Sequence, residues 1–151
     1  MSFDLEDICD AIATRYSPGT IGTPGSAMPM RAAYGQAPNA LPSTPAVVVL
    51  PKSGTLIYGA GQRKSEHEID VLFYHSRQQG DVPRTETERQ RWLPVLLNAL
   101  HGQVKLGLAG TVDKALPTDY EFVELPYGGD AYDGIRINVR VWVTDAVTLT
   151  P

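Results

Sequence analysis

The residues from Gly134 to Thr144 alternate strictly between two kinds of side chain. One set is β-branched and aliphatic, namely Ile135, Ile137, Val139, Val141 and Val143, and the other set is Arg136, Asn138, Arg140, Trp142 and Thr144. A period of two over this length predicts a β-strand with one face on a hydrophobic core. Asp133 and Gly134 predict a turn just before the strand. The second face, with two arginines and a tryptophan, is interpreted either as a contact surface or as an ordinary exposed sheet face.

Two segments have the periodicity of amphipathic helices. In residues 3–16 the apolar stripe comprises Leu5, Ile8, Cys9, Ile12 and Tyr16. In the second segment, Thr85 as N-cap and Glu88 predict a capping box at the helix N-terminus. Its apolar stripe comprises Trp92, Val95, Leu96, Ala99 and Leu100. Pro94 interrupts that stripe and predicts either a kink or a short turn followed by a second helix.

The remaining strand predictions cover residues 46–50, 55–58, 66–77 and 120–125. Turns or loops are predicted at residues 51–54, 59–64 and 126–134, where glycine, proline and polar residues concentrate. Residues 105–117 have no decisive pattern. This order of helices and strands predicts an α+β fold, with a mainly antiparallel mixed sheet and two principal helices packed on one side. A chain of 151 residues has the size of a single domain.

Residues 17–45 contain six prolines and four glycines. That density of helix and strand breakers excludes a helix and a central strand. Structureless segments of this length are uncommon in compact domains, and those that occur are usually functional or disordered. We therefore predict that residues 17–45 form a long, extended Pro-rich arm within the single domain 1–151.

The net charge and the cysteine content argue against several classes of protein and of site. The formal net charge is -4 and the pI is about 5.3, whereas a freestanding nucleic-acid-binding domain is usually basic. The single cysteine, Cys9, excludes an intrachain disulfide and a cysteine-based zinc site. The acidic N-terminus lacks the basic and apolar regions of a signal peptide, and no apolar run approaches the ~20 residues of a transmembrane helix. We expect a protein that is made in the cytoplasm and has no membrane partner.

Chemistry-bearing residues are concentrated at Glu66, His67, Glu68 and Asp70. The three carboxylates would project from one face of a strand and could hold Mg²⁺, but a solvated strand end is the preferred interpretation of this cluster. His75 and His101 are isolated, and the chain has no nucleophile elbow, Walker loop or dinucleotide-binding motif. A small metal-dependent enzyme stays open as a hypothesis. The preferred prediction is a protein that is not an enzyme and has no cofactor and no metal site.

Two groups of residues are candidates for protein contacts. Arg136, Arg140 and Trp142 belong to residue types that are enriched at interface hot spots. The second group, in the predicted loop 126–134, is Pro126, Tyr127, Asp130 and Tyr132, because tyrosine-rich loops make contacts at low entropic cost. A cytoplasmic adaptor that binds through the arginine and tryptophan face is one function that these residues would allow.

The order of the segments resembles the tail terminator, or tail-to-head joining, proteins of long-tailed bacteriophages. The resemblance rests on the N-terminal amphipathic helix, the Pro-rich stretch that leads into AVVVLP, and the later segments EHEIDVLFYH, TERQRWLPVLLNAL and YDGIRINVRVWVT. It covers most of the chain from Phe3 to Thr144.

This resemblance implies a structural protein of the virion tail. Such proteins form a homo-oligomeric ring, commonly a hexamer, that caps the tail tube and stops its polymerisation. The implied partners are the tail tube protein on one side and a neck or head-completion protein on the other, and DNA passes through the lumen without sequence-specific binding. A mildly acidic chain with few lysines fits a lumen that does not hold phosphate. A neck or head-completion protein and a minor tail protein are the alternatives in the same structural class.

Overall fold

The computed structural model describes residues 3–25, 27–78 and 82–148. In chain order its elements are α1 (Leu5–Tyr16), β1 (Ala32–Tyr34), β2 (Ala46–Gly59), β3 (Gln62–Arg77), α2 (Val82–Asn98), β4 (Val112–Tyr127) and β5 (Asp130–Ala146). The strands form one sheet in the order β1-β2-β3-β5-β4. β1 pairs with β2 in parallel, and the other neighbours are antiparallel. The predicted α+β fold with a mainly antiparallel mixed sheet is confirmed.

Both helices pack on the same face of the sheet, as predicted. Ile8 and Ile12 of α1, together with Trp92 and Leu96 of α2, are fully buried in the main core. Asp4 caps α1, because its side chain accepts a hydrogen bond from the backbone N–H of Glu6. The two helices are also joined directly: the Tyr16 hydroxyl donates to the carbonyl oxygen of Leu96 over 3.2 Å. We call this side of the sheet the helix face.

The alternation in β5 is confirmed, and its odd-numbered aliphatic residues all face the helices. These residues are Ile135, Ile137, Val139, Val141 and Val143, with at most 1% of each exposed. The predicted turn at Asp133 and Gly134 is wrong, because both residues pair with neighbouring strands inside β5. Gly134 is needed there for space: a Cβ atom would lie 2.5 Å from Leu125 Cδ1 and would also clash with the carbonyl oxygen of Phe73.

Two of the predicted loops are tight turns between long strands. β2 continues through residues 51–54 with a bulge between Pro51 and Ser53, so the predicted turn there is wrong. The predicted loop 59–64 is reduced to Ala60 and Gly61, and the predicted loop 126–134 is reduced to Gly128 and Gly129. All four of these residues have positive φ, the conformation that closes a two-residue hairpin. Cross-strand pairing therefore extends the strands of both hairpins through residues that disfavour strands locally.

Helix α2 begins before the predicted capping box. Because the helix starts at Val82, Thr85 lies inside its first turns and is not the N-cap, so that prediction is wrong. The helix also continues through Pro94 as one element. Trp92 and Leu96 are fully buried on either side of the proline, and their packing holds both halves of the helix on the sheet. Asp81, which precedes α2, lies outside the described residues.

The Pro-rich segment wraps around the edge of β2. Between Ser17 and Pro45, leaving out Ser26, the described residues form only the three-residue strand β1 among turns and bends. Met30 is buried in the main core on the helix face, whereas Leu41 is buried in a smaller core on the opposite face. The predicted extended arm therefore packs in part against its own sheet.

Candidate functional site

The sheet face opposite the helices carries a network that we call the polar ladder. It consists of Glu66, Glu68 and Asp70 of β3 and Arg136, Asn138, Arg140 and Trp142 of β5. In the strand register Glu66 lies opposite Trp142, Glu68 opposite Arg140, and Asp70 opposite Asn138. Cross-strand pairs of this kind are the unit of sheet stabilisation. The register thus brings Glu66 and Glu68 to hydrogen-bond donors on the neighbouring strand.

Glu68 is the centre of the polar ladder. Arg140 Nε donates to its Oε1 atom over 2.7 Å, and Asn138 Nδ2 donates to Oε2. Burial alone would raise the pKa of Glu68, but the hydrogen bonds from Asn138 and Arg140 outweigh it and hold the pKa below its ordinary value. The Glu68 side chain is therefore a carboxylate at neutral pH, and its charge compensates that of Arg140.

Trp142 and Arg136 also make contacts that compensate charges in the polar ladder. The indole Nε1 of Trp142 donates to Glu66 Oε1 over 3.2 Å. Lys114 Nζ lies 4.5 Å from the centre of the Trp142 ring, and Arg140 Cζ lies 5.8 Å from it, so both cations contact the π face. Arg136 pairs with Glu121 of β4. Lys114, Arg136 and Arg140 are thus held by carboxylates and an aromatic ring of the same chain.

The three carboxylates proposed for a metal lie on one face, as the sequence predicts. Glu66 and Glu68 accept hydrogen bonds from Trp142, Asn138 and Arg140. Across residues 3–25, 27–78 and 82–148, His, Cys, Asp and Glu form no group of three or more that could hold a metal ion. On this face Glu66 and Glu68 are thus satisfied by donors of β5, whereas Asp70 Oδ1 is buried and has no hydrogen-bond partner among the described residues.

The predicted contact loop is a hairpin whose tyrosines pack internally. The Tyr74 ring meets the rings of Tyr127 and Tyr132 edge to face, with centroid distances of 5.5 and 5.6 Å. Tyr132 is only 3% exposed, which corrects its interpretation as a surface contact. The Tyr127 hydroxyl donates to the carbonyl oxygen of Pro38 and so holds the Pro-rich segment.

The seven predicted interface residues do not form one patch. Arg136, Arg140 and Trp142 come together in the polar ladder. Pro126 is exposed at the other end of the sheet, where Asp130 pairs with Arg77 over 3.2 Å. Asp130 and Trp142 are separated by roughly 40 Å along β5, at about 3.3 Å per residue.

The sequence interpretation missed an exposed apolar surface at the tip of the β2–β3 hairpin. Leu56, Ile57 and Tyr58 are 49%, 59% and 50% exposed. Tyr120 and Phe122 of β4 are also large exposed apolar residues. A signal for the first group is present in the sequence: three consecutive apolar residues in a strand cannot all point to the same core.

A serine and a histidine meet beneath the Phe3 side chain. His67 Nε2 lies 2.9 Å from Ser65 Oγ, and the Phe3 ring covers the imidazole with 4.5 Å between centroids. A serine beside a base is the arrangement of an activated nucleophile, but Ser65 is 1% exposed and the pair is closed to a substrate. The pair serves packing under α1.

Burial of His67 predicts a pH dependence of stability. Desolvation lowers the pKa of His67 below its ordinary value of 6.5. The unfolded chain therefore takes up a proton at a higher pH than the folded chain, so His67 makes the free energy of unfolding fall as the pH drops below about 6.5. The slope from this residue is at most about 1.4 kcal/mol per pH unit. Urea denaturation at pH 7.5 and 5.5 should give a smaller pH effect for His67→Gln than for the wild type. His101→Gln, on an exposed residue, is the control, and an identical pH effect in all three proteins would contradict this prediction.

Comparisons with known proteins assign neither a family nor a function to this chain. The sequence matches no protein-family model and no curated protein. Among the described residues, no helix combines the length and the apolar character needed to cross a membrane.

Proposed function

We propose that the protein is a structural ring subunit of a phage tail, similar to the tail terminators. In this proposal, copies of the chain form a ring, with six as the expected number, that caps the tail tube. The ring stops polymerisation of the tube and offers its other side to the neck or head-completion protein. DNA passes through the lumen on its way out of the head. The protein acts by contact and is not an enzyme.

The observation that carries the proposal is the polar ladder. Both helices lie on one face of the sheet, and the opposite face carries the polar ladder beside the smaller core. Within the ladder, Arg136 and Arg140 are compensated by Glu121 and Glu68. Binding to DNA depends on cations that neutralise phosphates and release counterions. Lys114, Arg136 and Arg140 are already engaged with Trp142, Glu121 and Glu68. A wall of this composition lets DNA slide past, which is what a lumen requires.

The first test is the position and assembly of the protein. Immunogold labelling of phage particles is expected to place it at the junction of tail and neck. Negative-stain images of the purified protein are expected to show rings with a central hole. Label confined to the head-completion complex would assign the protein to the neck, and a strict monomer that is absent from particles would overturn the proposal.

The second test concerns DNA. In the double variant Glu66→Gln and Glu68→Gln, Arg140 loses its carboxylate partner, so the affinity for duplex DNA at low salt is expected to rise roughly tenfold. The matched control is Glu6→Gln with Asp7→Asn, which removes two exposed carboxylates of α1 and changes the net charge equally. Equal DNA affinity of the two variants, measured by fluorescence anisotropy, would show that the polar ladder does not shield its cations.

A further inference from the structure

The β2–β3 hairpin has an unpaired outer edge. β1 pairs only with Ala46, Val47 and Val48 of β2, so in the described part of the chain no strand pairs with that side of β2 from Val49 to Gly59. All residues from Pro51 to Gly59 are exposed. An open edge of this length is a template for pairing with another strand.

β4 provides a second open edge at the opposite side of the sheet. It is the last strand in the order, and its described pairings are all with β5. Tyr120 and Phe122 are 49% and 41% exposed on this strand. Tyr120 lies opposite Ile137 and Phe122 opposite Ile135, both of which face the helices. The two aromatic rings therefore belong to the helix face.

The hairpin presents apolar side chains on that same face. Leu56 lies opposite the buried Ser65, and Tyr58 lies opposite Arg63. If the two open edges were placed side by side in a continuous sheet, Leu56 and Tyr58 would share a face with Tyr120 and Phe122. Their apolar surfaces would then be covered together.

The charges of the two edges are complementary. Residues 51–65, at the tip of the hairpin, carry Lys52, Arg63 and Lys64 and no carboxylate. Arg63 is paired with Asp145 of β5, so Lys52 and Lys64 give this tip its positive charge. β4 carries one cation, Lys114, and four carboxylates, namely Asp113, Asp119, Glu121 and Glu124. Glu121 is paired with Arg136, so β4 keeps an excess of negative charge from the other three. The basic hairpin thus fits the acidic edge of another copy, whereas two hairpins or two β4 edges would repel each other.

We propose that copies of this chain join head to tail, with the outer edge of β2 in one copy beside the outer edge of β4 in the next. This inference rests on the proposed function, because it names the subunit contact of the ring. The two edges are different surfaces at opposite sides of one sheet, so the contact is heterologous. A contact of this kind gives a ring when the rotation between neighbouring copies closes, as the proposed function requires. Main-chain pairing would supply affinity, and the apolar and charged side chains would set the choice of edge.

The test uses one variant for each edge. Ile57→Glu places a carboxylate on the hairpin, where it would face the acidic β4 edge, and Tyr120→Ser removes an exposed ring from β4. Each variant alone is expected to self-associate at least tenfold more weakly than the wild type in sedimentation velocity. Their controls are Ala109→Glu, which adds the same charge to an exposed turn, and Met28→Ser, which removes an exposed apolar side chain elsewhere. Circular dichroism verifies that all four variants fold.

Mixing the two edge variants distinguishes a head-to-tail contact from other geometries. Ile57→Glu retains an intact β4 edge and Tyr120→Ser retains an intact hairpin, so an equimolar mixture is expected to form dimers and stop. A mixture that stays monomeric, a mixture that rebuilds large assemblies, or variants that assemble like the wild type would overturn the inference, as would a monomeric wild type. Loss of tube capping by Ile57→Glu with normal self-association would assign the hairpin to the tail tube and not to a second copy.

The test of the edge contact and the test of the proposed function have separate outcomes. Labelling of particles reports whether the protein belongs to the tail, whichever edges join the subunits. A tail protein whose edge variants still assemble would refute the edge contact alone. A protein that is absent from particles would refute the proposed function even if the edge variants behave as expected.

Discussion

Replacement of Gly134 by alanine is expected to lower the free energy of unfolding by about 3 kcal/mol, at the upper end of the range for overpacking. The added methyl would lie 2.5 Å from Leu125 Cδ1 and would also clash with the carbonyl oxygen of Phe73. Neither neighbour can move easily, because Leu125 is 2% exposed and Phe73 belongs to the central strand β3. Urea denaturation followed by circular dichroism measures the effect.

Gly110→Ala is the matched control for Gly134→Ala. A Cβ at Gly110 meets nothing within 4 Å, and this glycine does not have a positive φ. We expect its free energy of unfolding to stay within about 0.5 kcal/mol of the wild type. Equal stability of the two variants would mean that the close approach of β3 and β5 at Gly134 is not a constraint.

Truncation of Trp92 to alanine is expected to cost about 3 to 5 kcal/mol, the range for removing a large aromatic side chain from a core. Trp92 is fully buried, and its ring centre lies 5.2 Å from that of Phe73. This contact holds α2 on the sheet just before Pro94, where the helix lacks one backbone donor. The variant should therefore also lose helical signal at lower urea concentrations than the wild type.

Trp92→Phe separates the loss of volume from the loss of the indole N–H. Trp92 Nε1 is buried and has no hydrogen-bond partner within the described residues. Replacement by phenylalanine therefore breaks no hydrogen bond in that part of the chain. Because the smaller ring fills only part of the tryptophan site, we expect a cost of about 1 to 2 kcal/mol, below that of the alanine variant. A phenylalanine variant as unstable as the alanine variant would show that the ring of residue 92 does not support α2 by packing.

The sequence predicted the parts of the fold that depend on periodicity. The period of two in β5 and the helical stripes of α1 and α2 follow from one buried face per element, and all three elements are present. The predicted turn at Asp133 and Gly134 failed because a glycine can be required for space inside a strand as well as for a turn. The predicted loop 126–134 failed because only Gly128 and Gly129 are needed to reverse the chain.

The candidate site was predictable only in part. The sequence placed Glu66, Glu68 and Asp70 on one face of a strand, since residues two apart share a side. It could not identify Arg140 as the partner of Glu68, because the two residues are 72 positions apart in the chain. Their pairing depends on the register between β3 and β5. The burial of Tyr132 likewise depends on Leu41 and the other residues of the smaller core.

The short strand β1 limits where a neighbouring strand can lie. It occupies the margin of β2 as far as Val48 and then leaves it, and the stretch from Val49 to Gly59 is open for roughly 36 Å at about 3.3 Å per residue. An incoming strand could pair anywhere along this stretch, but Tyr34 would block pairing beyond it. The Pro-rich segment would then limit the register of the incoming strand and so fix the alignment between adjacent molecules.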